Sequence, residues 1–235
     1  MTQPTLGTYR KLCTEFYDLE PHKDSTQALA FYMDYAKQAH GPILEPMCGT
    51  GRFLLPMLNA GLAIEGFDAS SHMLEALHQK YAPKIAPVWQ QFVQDFSSDK
   101  KYALIFIPYG SFGLIINHDD IKKSLAVLYN HLAPGGTLVM EIETVSSVPQ
   151  PCSIWRRGIH PRANGSRLAL STFATYNDQT QIFSSLCRYE SLSPDNTIIE
   201  TETEDYTQYL YEFNEMDVLL SAIGFTSIKK YASYA

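Results

Sequence analysis

The chain has 235 residues, 45% hydrophobic and 18% charged, which is the balance of an ordinary globular protein with a sizeable core. Its net charge of −7, from 18 basic and 25 acidic residues, argues against a duplex nucleic-acid binder, because such a protein needs a basic surface. The four cysteines show no C-x-x-C spacing, and no apolar run suits a signal peptide or a membrane span. We therefore expect a cytoplasmic protein with free thiols, no metal centre and no membrane or nucleic-acid partner.

Strand and helix signals alternate from residue 24 to residue 143. Apolar residues at helical spacing predict a first helix over residues 24–40, whereas the residues before it give mixed signals. The strands that follow are expected at residues 43–44, 62–67, 88–94, 102–107 and 137–143. Helices between them are expected at residues 52–59, from about residue 71, and at 119–132. This alternation predicts a parallel sheet with helices on both faces.

The pattern changes after Glu143. Strands separated by turn signals are expected at residues 153–160, 167–176, 181–191 and 197–211. Along the last of these, acidic residues alternate with other polar residues, which favours an antiparallel sheet with a wet face. A helix from Asn214 to Ile223 and a final strand from Phe225 to Tyr231 then return to the first pattern.

These signals together predict an α/β fold with a Rossmann-like, doubly wound and mostly parallel sheet, into which an antiparallel β-subdomain is inserted. We divide the chain into an N-terminal lid or helical segment at 1–40, a Rossmann-like domain at 41–146 and 212–235, and the insert at 147–211. The insert is rich in aromatic and basic residues, for which three roles are open: walling a pocket for the acceptor, packing the core of the insert, or forming a dimer surface. These residues are Trp155, Arg156, Arg157, Phe173, Tyr176, Phe183, Tyr189, Tyr206, Tyr209 and Tyr211.

Three features meet where the first strands end. Gly49 and Gly51 allow a tight turn and close approach of a ligand to the N-terminus of the next helix. Asp68, at the end of the second expected strand, can accept hydrogen bonds from both hydroxyls of a ribose. Asp95, at the expected end of the third strand and followed by Phe96, can pair with adenine. Each acid alone would be read as a solvated strand end or a helix cap, but the three in register indicate an adenosine site.

Several motifs resemble the class I methyltransferases that use S-adenosylmethionine (SAM). Residues 43–52, I-L-E-P-M-C-G-T-G-R, resemble their E-x-x-C-G-T-G-R loop, and residues 66–74 resemble their G-x-D-x-S-x-x-M-L motif. Asp95-Phe96 fits their adenine motif, residues 132–138 resemble the L-x-P-G-G turn before the fifth strand, and residues 214–225 are similar to their late helix. The resemblance covers residues 9–145 and 206–231.

The resemblance implies SAM as the cofactor and assigns its site by position. The residues implied to contact SAM are Tyr17, Glu45, Gly49, Gly51, Arg52, Asp68, Ala69, Met73, Asp95 and Phe96. The two glycines and Glu45 would lie near the methionine part, Arg52 near its carboxylate, and Asp68 at the ribose. Tyr9 and Tyr17 would belong to a lid over the site, or would pack between the first helix and the sheet.

The family usually closes its sheet with two strands after the last helix. Only residues 225–235 remain here, which leaves room for one. Either a strand of the insert fills the edge of the sheet, or the sheet ends early.

Methyl transfer from a sulfonium depends largely on alignment of the reactants. The end of the fourth strand should lie beside the reactive methyl, so Tyr109 and Ser111 are candidates for positioning the acceptor, unless they only form a turn under the loop. His118 follows this strand and is a candidate base near neutral pH, although a surface histidine is the plainer reading. We expect transfer to a nitrogen or oxygen of an unidentified small molecule, by a chain that can form a homodimer.

Two other functions remain open at this point. An NAD-dependent oxidoreductase would also use Asp68, but Leu54 stands where that fingerprint needs its third glycine. A catalytically silent SAM-fold binding protein would not need the intact set of loop glycines and acids.

Overall fold

The computed structural model describes residues 6–20 and 25–234, and its larger sheet has five parallel strands. In spatial order these are β3 (Val88–Gln90), β2 (Ile64–Asp68), β1 (Ile43–Pro46), β4 (Tyr102–Ile107) and β5 (Leu132–Met140). The second sheet is antiparallel and follows the chain: β6 (Trp155–Pro161), β7 (Arg167–Asn177), β8 (Ile182–Leu192) and β9 (Ile198–Tyr209). The predicted α/β fold with a parallel and an antiparallel sheet is confirmed.

Helices cover both faces of the parallel sheet because side chains alternate along its strands. The helices are α1 (Lys11–Leu19), α2 (Ser25–Gln38), α3 (Leu54–Asn59), α4 (Ser71–Tyr81), α5 (His118–His131) and α6 (Glu215–Ile223). Ile43 and Phe106 share one core with α2 and α3, whereas Leu44 and Ile105 share the other with α5 and α6. The start expected at residue 24 for the helix that is α2 lies outside the described residues. Of the helices in the described ranges, none is both long and apolar enough to cross a membrane.

Helix α1 was not predicted, and it packs on the antiparallel sheet. Leu12, Cys13 and Phe16 form a small core with Leu168 and Tyr189. The helix therefore joins the insert and does not fill space between α2 and the parallel sheet.

Two predicted strands need correction. The third strand ends at Gln90 and not at residue 94, because the chain enters a 3-10 turn at Val93–Asp95. The final strand predicted at residues 225–231 is wrong: these residues are not in a strand, and the segment up to residue 234 packs back on α2. Rings of Tyr231 and Tyr234 lie 5.6 and 5.8 Å from the ring of Phe31, so burial of aromatic surface replaces strand pairing.

The fifth strand begins earlier than predicted. Leu132 pairs with Tyr102 and Thr137 pairs with Leu104, so the Pro-Gly-Gly turn lies within an irregular stretch of β5. Beyond β5 the chain meets the end of β9 in one parallel bridge, Thr144 with Tyr211. Among the described residues β5 is the last strand on this side of the sheet, and a single bridge from the insert continues it.

Candidate functional site

The loop after β1 turns sharply through three residues with positive φ. Met47, Gly49 and Gly51 have φ of 59°, 53° and 81°. A Cβ added to Gly51 would lie 2.8 Å from Leu55 and 2.9 Å from Leu77, so this glycine allows α3 and α4 to approach the loop. A Cβ added to Gly49 would meet no atom within 4 Å. The loop therefore leaves open space above Gly49, where a ligand can come close to the backbone.

Asp68 lies at the end of β2 and is fixed by two backbone donors. Its Oδ2 accepts from the Gly49 N–H and its Oδ1 from the Ser70 N–H, both at 2.8 Å. Burial raises the pKa of Asp68, and these backbone hydrogen bonds partly oppose the shift. Each carboxylate oxygen keeps a lone pair for a further donor, as a ribose hydroxyl requires.

Glu45 is a buried acid beneath the same loop. The residue is only 1% exposed, and among the described residues its Oε2 has no hydrogen-bond partner. Burial, followed by the nearby Asp68, raises the pKa of Glu45 well above its usual value, while the Leu54 backbone N–H lowers it. A buried acceptor without a donor is rare and calls for a partner such as the amino group of SAM. On this observation the residues present fit the cofactor.

Arg52 and Tyr17 connect the loop to α1. The Arg52 guanidinium donates to the Tyr17 carbonyl at 2.9 Å and lies 4.5 Å from the Tyr17 ring centre. It also lies 5.7 Å from the ring of Tyr109, so it sits between α1 and the end of β4. Burial raises the pKa of Tyr17 to about 12, against the opposing effect of Arg52.

Further contacts place α1 and the residues before it over the loop. Thr50 Oγ1 donates to Asp18 at 2.6 Å, and Ser70 Oγ donates to the Tyr9 carbonyl at 2.6 Å. Of the two positions left open for Tyr9 and Tyr17, these contacts and the packing of α1 favour the lid.

The other end of the lid is held by β9. Glu204 accepts from the N–H groups of Tyr9 and Arg10 at 3.0 and 2.8 Å. Glu202 accepts from those of Leu12 and Cys13, both at 3.0 Å. The first turn of α1 is thus capped by carboxylates distant in sequence, because Arg10 at its N-cap gives no side-chain cap. The alternation of acids along β9 was the only sequence signal of this role, and it was read as a wet face.

The end of β4 carries two of the predicted acceptor-positioning residues. Tyr109 has a φ of 56°, its N–H donates to Glu141 Oε2 at 3.1 Å, and its ring packs 5.0 Å from that of Phe53. Ser111 Oγ donates to the Pro108 carbonyl at 2.9 Å, so this hydroxyl closes a turn. Tyr234 also donates to Glu141, a contact that no sequence pattern predicts.

His118 is exposed at the first turn of α5. Its ring packs edge-on against Tyr209, with ring centres 5.1 Å apart. The structure thus places it against β9, and its role as a base stays a prediction.

The strand-end position expected for Asp95 is wrong, whereas the contact of Asp95 and Phe96 with adenine stays a prediction. Asp95 is in the 3-10 turn beyond β3, where its side chain is 55% exposed and forms an ion pair with Lys123 at 3.0 Å. Phe96 is 4% exposed and stacks on Phe67 at 4.9 Å, so its ring is part of the core. The end of β3 presents Gln90, whose Nε2 donates to the Ala69 carbonyl at 2.9 Å.

Ala69 and Met73 are two further residues that the resemblance implies to contact SAM. Ala69 is half-buried, and Met73 is buried in the first turn of α4. The Met73 N–H donates to Ser70 Oγ, so Ser70 is the N-cap of α4.

A cavity of about 120 Å³ lies between α1 and the antiparallel sheet. Hydroxyl and carboxyl groups dominate its polar lining, from Tyr9, Tyr17, Tyr189, Tyr206, Glu20 and Glu204. Of the aromatic residues expected to wall a pocket, Tyr189 and Tyr206 do so, whereas Tyr209 and Tyr211 belong to the core beneath the parallel sheet.

Comparison with known proteins agrees with this geometry. Residues 43–136 match the model of a family described as a methyltransferase domain, and no curated protein sequence matches the chain. The fold is similar to that of the CcbJ methyltransferase from Streptomyces caelestis, with a TM-score of 0.77 and 19% identity over 97% of this chain and 90% of that one. It is also similar to the sugar N-methyltransferase KedS8 from Streptoalloteichus, with a TM-score of 0.76 and 14% identity over 95% and 89%. The SAM-bound amino pentose methyltransferase CalS10 from Micromonospora echinaspora gives 0.71 and 16% over 92% and 89%.

Proposed function

On the premise that residues 43–136 form a class I, SAM-dependent methyltransferase domain, we propose that this protein methylates an amino nitrogen of a small hydroxylated acceptor, such as an amino sugar. The observation that carries the cofactor half of this proposal is the buried, unpartnered Oε2 of Glu45 next to Asp68, beneath the open side of Gly49. Glu45 and Asp68 lie on the neighbouring strands β1 and β2, close enough for Asp68 to raise the pKa of Glu45, and the glycine turn follows β1.

Three side chains of this protein bind different parts of SAM. Asp68 accepts hydrogen bonds from the ribose hydroxyls, Glu45 accepts from the amino group, and Arg52 donates to the carboxylate. When bound, SAM supplies an electrophilic methyl group, whose bond to sulfur breaks as the acceptor's lone pair bonds to its carbon. The chain holds the acceptor in line beside Tyr109, and such alignment contributes up to roughly 7–11 kcal/mol in favourable cases.

Helix α1 excludes water from this site. It contacts the loop through Asp18 and Tyr17 and contacts the antiparallel sheet through its apolar face. An acceptor held in the cavity next to α1 would therefore be enclosed between α1 and the antiparallel sheet, with Tyr9, Tyr17 and Tyr206 offering hydroxyl groups to it.

Two observations support an amine on a hydroxylated acceptor. The cavity is lined by phenol hydroxyls, which donate and accept hydrogen bonds, and by carboxylates, which accept them from the amino and hydroxyl groups of such an acceptor. Structures with a similar fold include a sugar N-methyltransferase and an amino pentose methyltransferase. An oxygen acceptor remains an outcome of the test.

The test has two parts. Calorimetric titration should detect SAM binding to the wild-type protein, with no binding of NAD at the same concentrations. Release of S-adenosylhomocysteine (SAH) should then be measured across paired amines and alcohols, such as glucosamine with glucose. Turnover of amines and not of their alcohol partners is the expected result. Binding of NAD in place of SAM would overturn the cofactor assignment, and turnover of alcohols alone would overturn the choice of nitrogen.

A further inference from the structure

Two glycines at the end of β4 make room for side chains from elsewhere. A Cβ added to Gly110, whose φ is +64°, would lie 2.7 Å from Glu143 Cγ and 3.3 Å from Gln208 Nε2. A Cβ added to Gly113 would lie 2.9 Å from Gln208 Cγ. The loop after β4 is therefore shaped around Glu143 and Gln208.

Both ends of the Gln208 side-chain amide form hydrogen bonds. It is 8% exposed, its Nε2 donates to the Gly110 carbonyl at 3.1 Å, and its Oε1 accepts from the Tyr206 hydroxyl at 3.0 Å. Tyr206 in turn lines the cavity beneath α1. A continuous path of hydrogen bonds thus runs from the cavity to the backbone next to Tyr109.

Glu143 lies against this path with its carboxylate uncommitted. The backbone holds the residue, since the Tyr211 N–H donates to its carbonyl at 3.0 Å. Its carboxylate makes neither a hydrogen bond nor an ion pair with another side chain in the described part of the chain, whereas Glu141 on the same segment is bonded to Tyr109 and Tyr234. It is close enough to Tyr206 to add to the effect of burial in raising the pKa of that phenol.

We propose that Glu143 is the residue that selects an amine, by accepting hydrogen bonds from the acceptor's amino group beside Tyr109, with Tyr206 and Gln208 as positioning residues. This inference rests on the proposed function. A half-buried carboxylate forms strong, charge-assisted hydrogen bonds with N–H donors. A neutral primary amine offers two donor hydrogens and keeps the lone pair that attacks the methyl carbon, whereas an alcohol offers only one donor hydrogen and gains less from the same carboxylate.

The experiment compares wild type, Glu143→Gln and Glu212→Gln in the presence of saturating SAH. Glu212 is exposed near the end of β9, so its substitution makes the same charge change outside the site. Glucosamine and glucose are titrated into each complex by calorimetry. We expect wild type and Glu212→Gln to prefer glucosamine by about tenfold or more, and Glu143→Gln to lose most of that preference.

Each outcome decides the matter. Equal binding of the two sugars by wild type, or an unchanged preference in Glu143→Gln, would overturn the role of Glu143. The affinity for SAH is measured in the same series and should stay within about twofold in both variants. Failure of wild type to bind SAH at all would instead overturn the proposed function, so the two failures are distinguishable.

Discussion

The parallel sheet and the antiparallel sheet contribute to the site in different ways. Residues of the parallel sheet act where their strands end, so Asp68 reaches the loop glycine through a hydrogen bond spanning only 19 positions. Residues of the antiparallel sheet act across the chain, as Glu202 does when it caps α1 from 190 positions away. Local motifs therefore determine the loop next to Asp68, whereas the position of α1 depends on packing between distant segments.

The largest effect is expected at the loop, where the two glycines have different functions. Gly51→Ala should lower the free energy of unfolding by about 3 kcal/mol, because its Cβ would overlap Leu55 and Leu77 in addition to the strain of positive φ. Gly49→Ala is the matched control and should cost only about 1 kcal/mol, yet weaken SAM binding. Urea unfolding and calorimetry measure both quantities. Equal losses of stability would contradict this division.

Substitutions of Asp68 and Asp95 test how much each carboxylate contributes to SAM binding. Asp68→Ala should weaken SAM binding by about 1–3 kcal/mol, the cost of a lost buried hydrogen-bond partner. Asp95→Ala should change it by less than about 0.5 kcal/mol, because Asp95 is exposed and pairs with Lys123. A larger loss in Asp95→Ala than in Asp68→Ala, measured by titration, would contradict this prediction.

Glu45 should make the free energy of unfolding of the protein depend on pH. Its pKa is raised in the folded protein, so the folded state holds the proton more tightly than the unfolded chain does, and stability falls as pH rises above about 4.5. Glu45→Gln should abolish that loss, gaining about 1.4 kcal/mol at high pH for each unit by which the pKa is raised. Urea unfolding without SAM at pH 4 and pH 8 tests this. Lower stability of the variant at pH 8 would refute it.

The smallest effect is expected on the lid. Glu202→Ala removes the acceptor of two N–H groups in the first turn of α1 and should cost about 1 kcal/mol, as loss of a helix cap does. Hydrogen exchange at Leu12 and Cys13 should become faster, while exchange in β1 and β4 should not change. Glu212→Ala serves as the control. Unchanged exchange in α1 would show that β9 does not hold the lid.

What the sequence could predict follows the same division. Periodicity and turns sufficed for most strands, because β4 is a continuous apolar run and the insert alternates regularly. The glycine loop and Asp68 were found because their spacing reflects one strand–loop–helix unit. Asp95 was misplaced because a strand of three residues ends without a clear signal, and the following 3-10 turn resembles its continuation.

The remaining features depend on contacts that no local pattern contains. Helix α1 is stabilised by β9 and by Leu168 and Tyr189, so its own residues gave mixed signals. The segment after α6 pairs its tyrosines with α2 and with Glu141, where an edge strand was expected. Glu143 and Gln208 come together only because Gly110 and Gly113 leave space for them.

The capping of α1 by β9 sets an order of events on the ribosome. Residues 11–19 leave the exit tunnel early, but the carboxylates that complete their first turn are synthesised some 190 residues later. A nascent chain that already contains the whole parallel sheet would therefore still present an open SAM loop. Only after Glu202 and Glu204 have emerged can β9 hold α1 over that loop, so the enclosed site should form later than the parallel sheet.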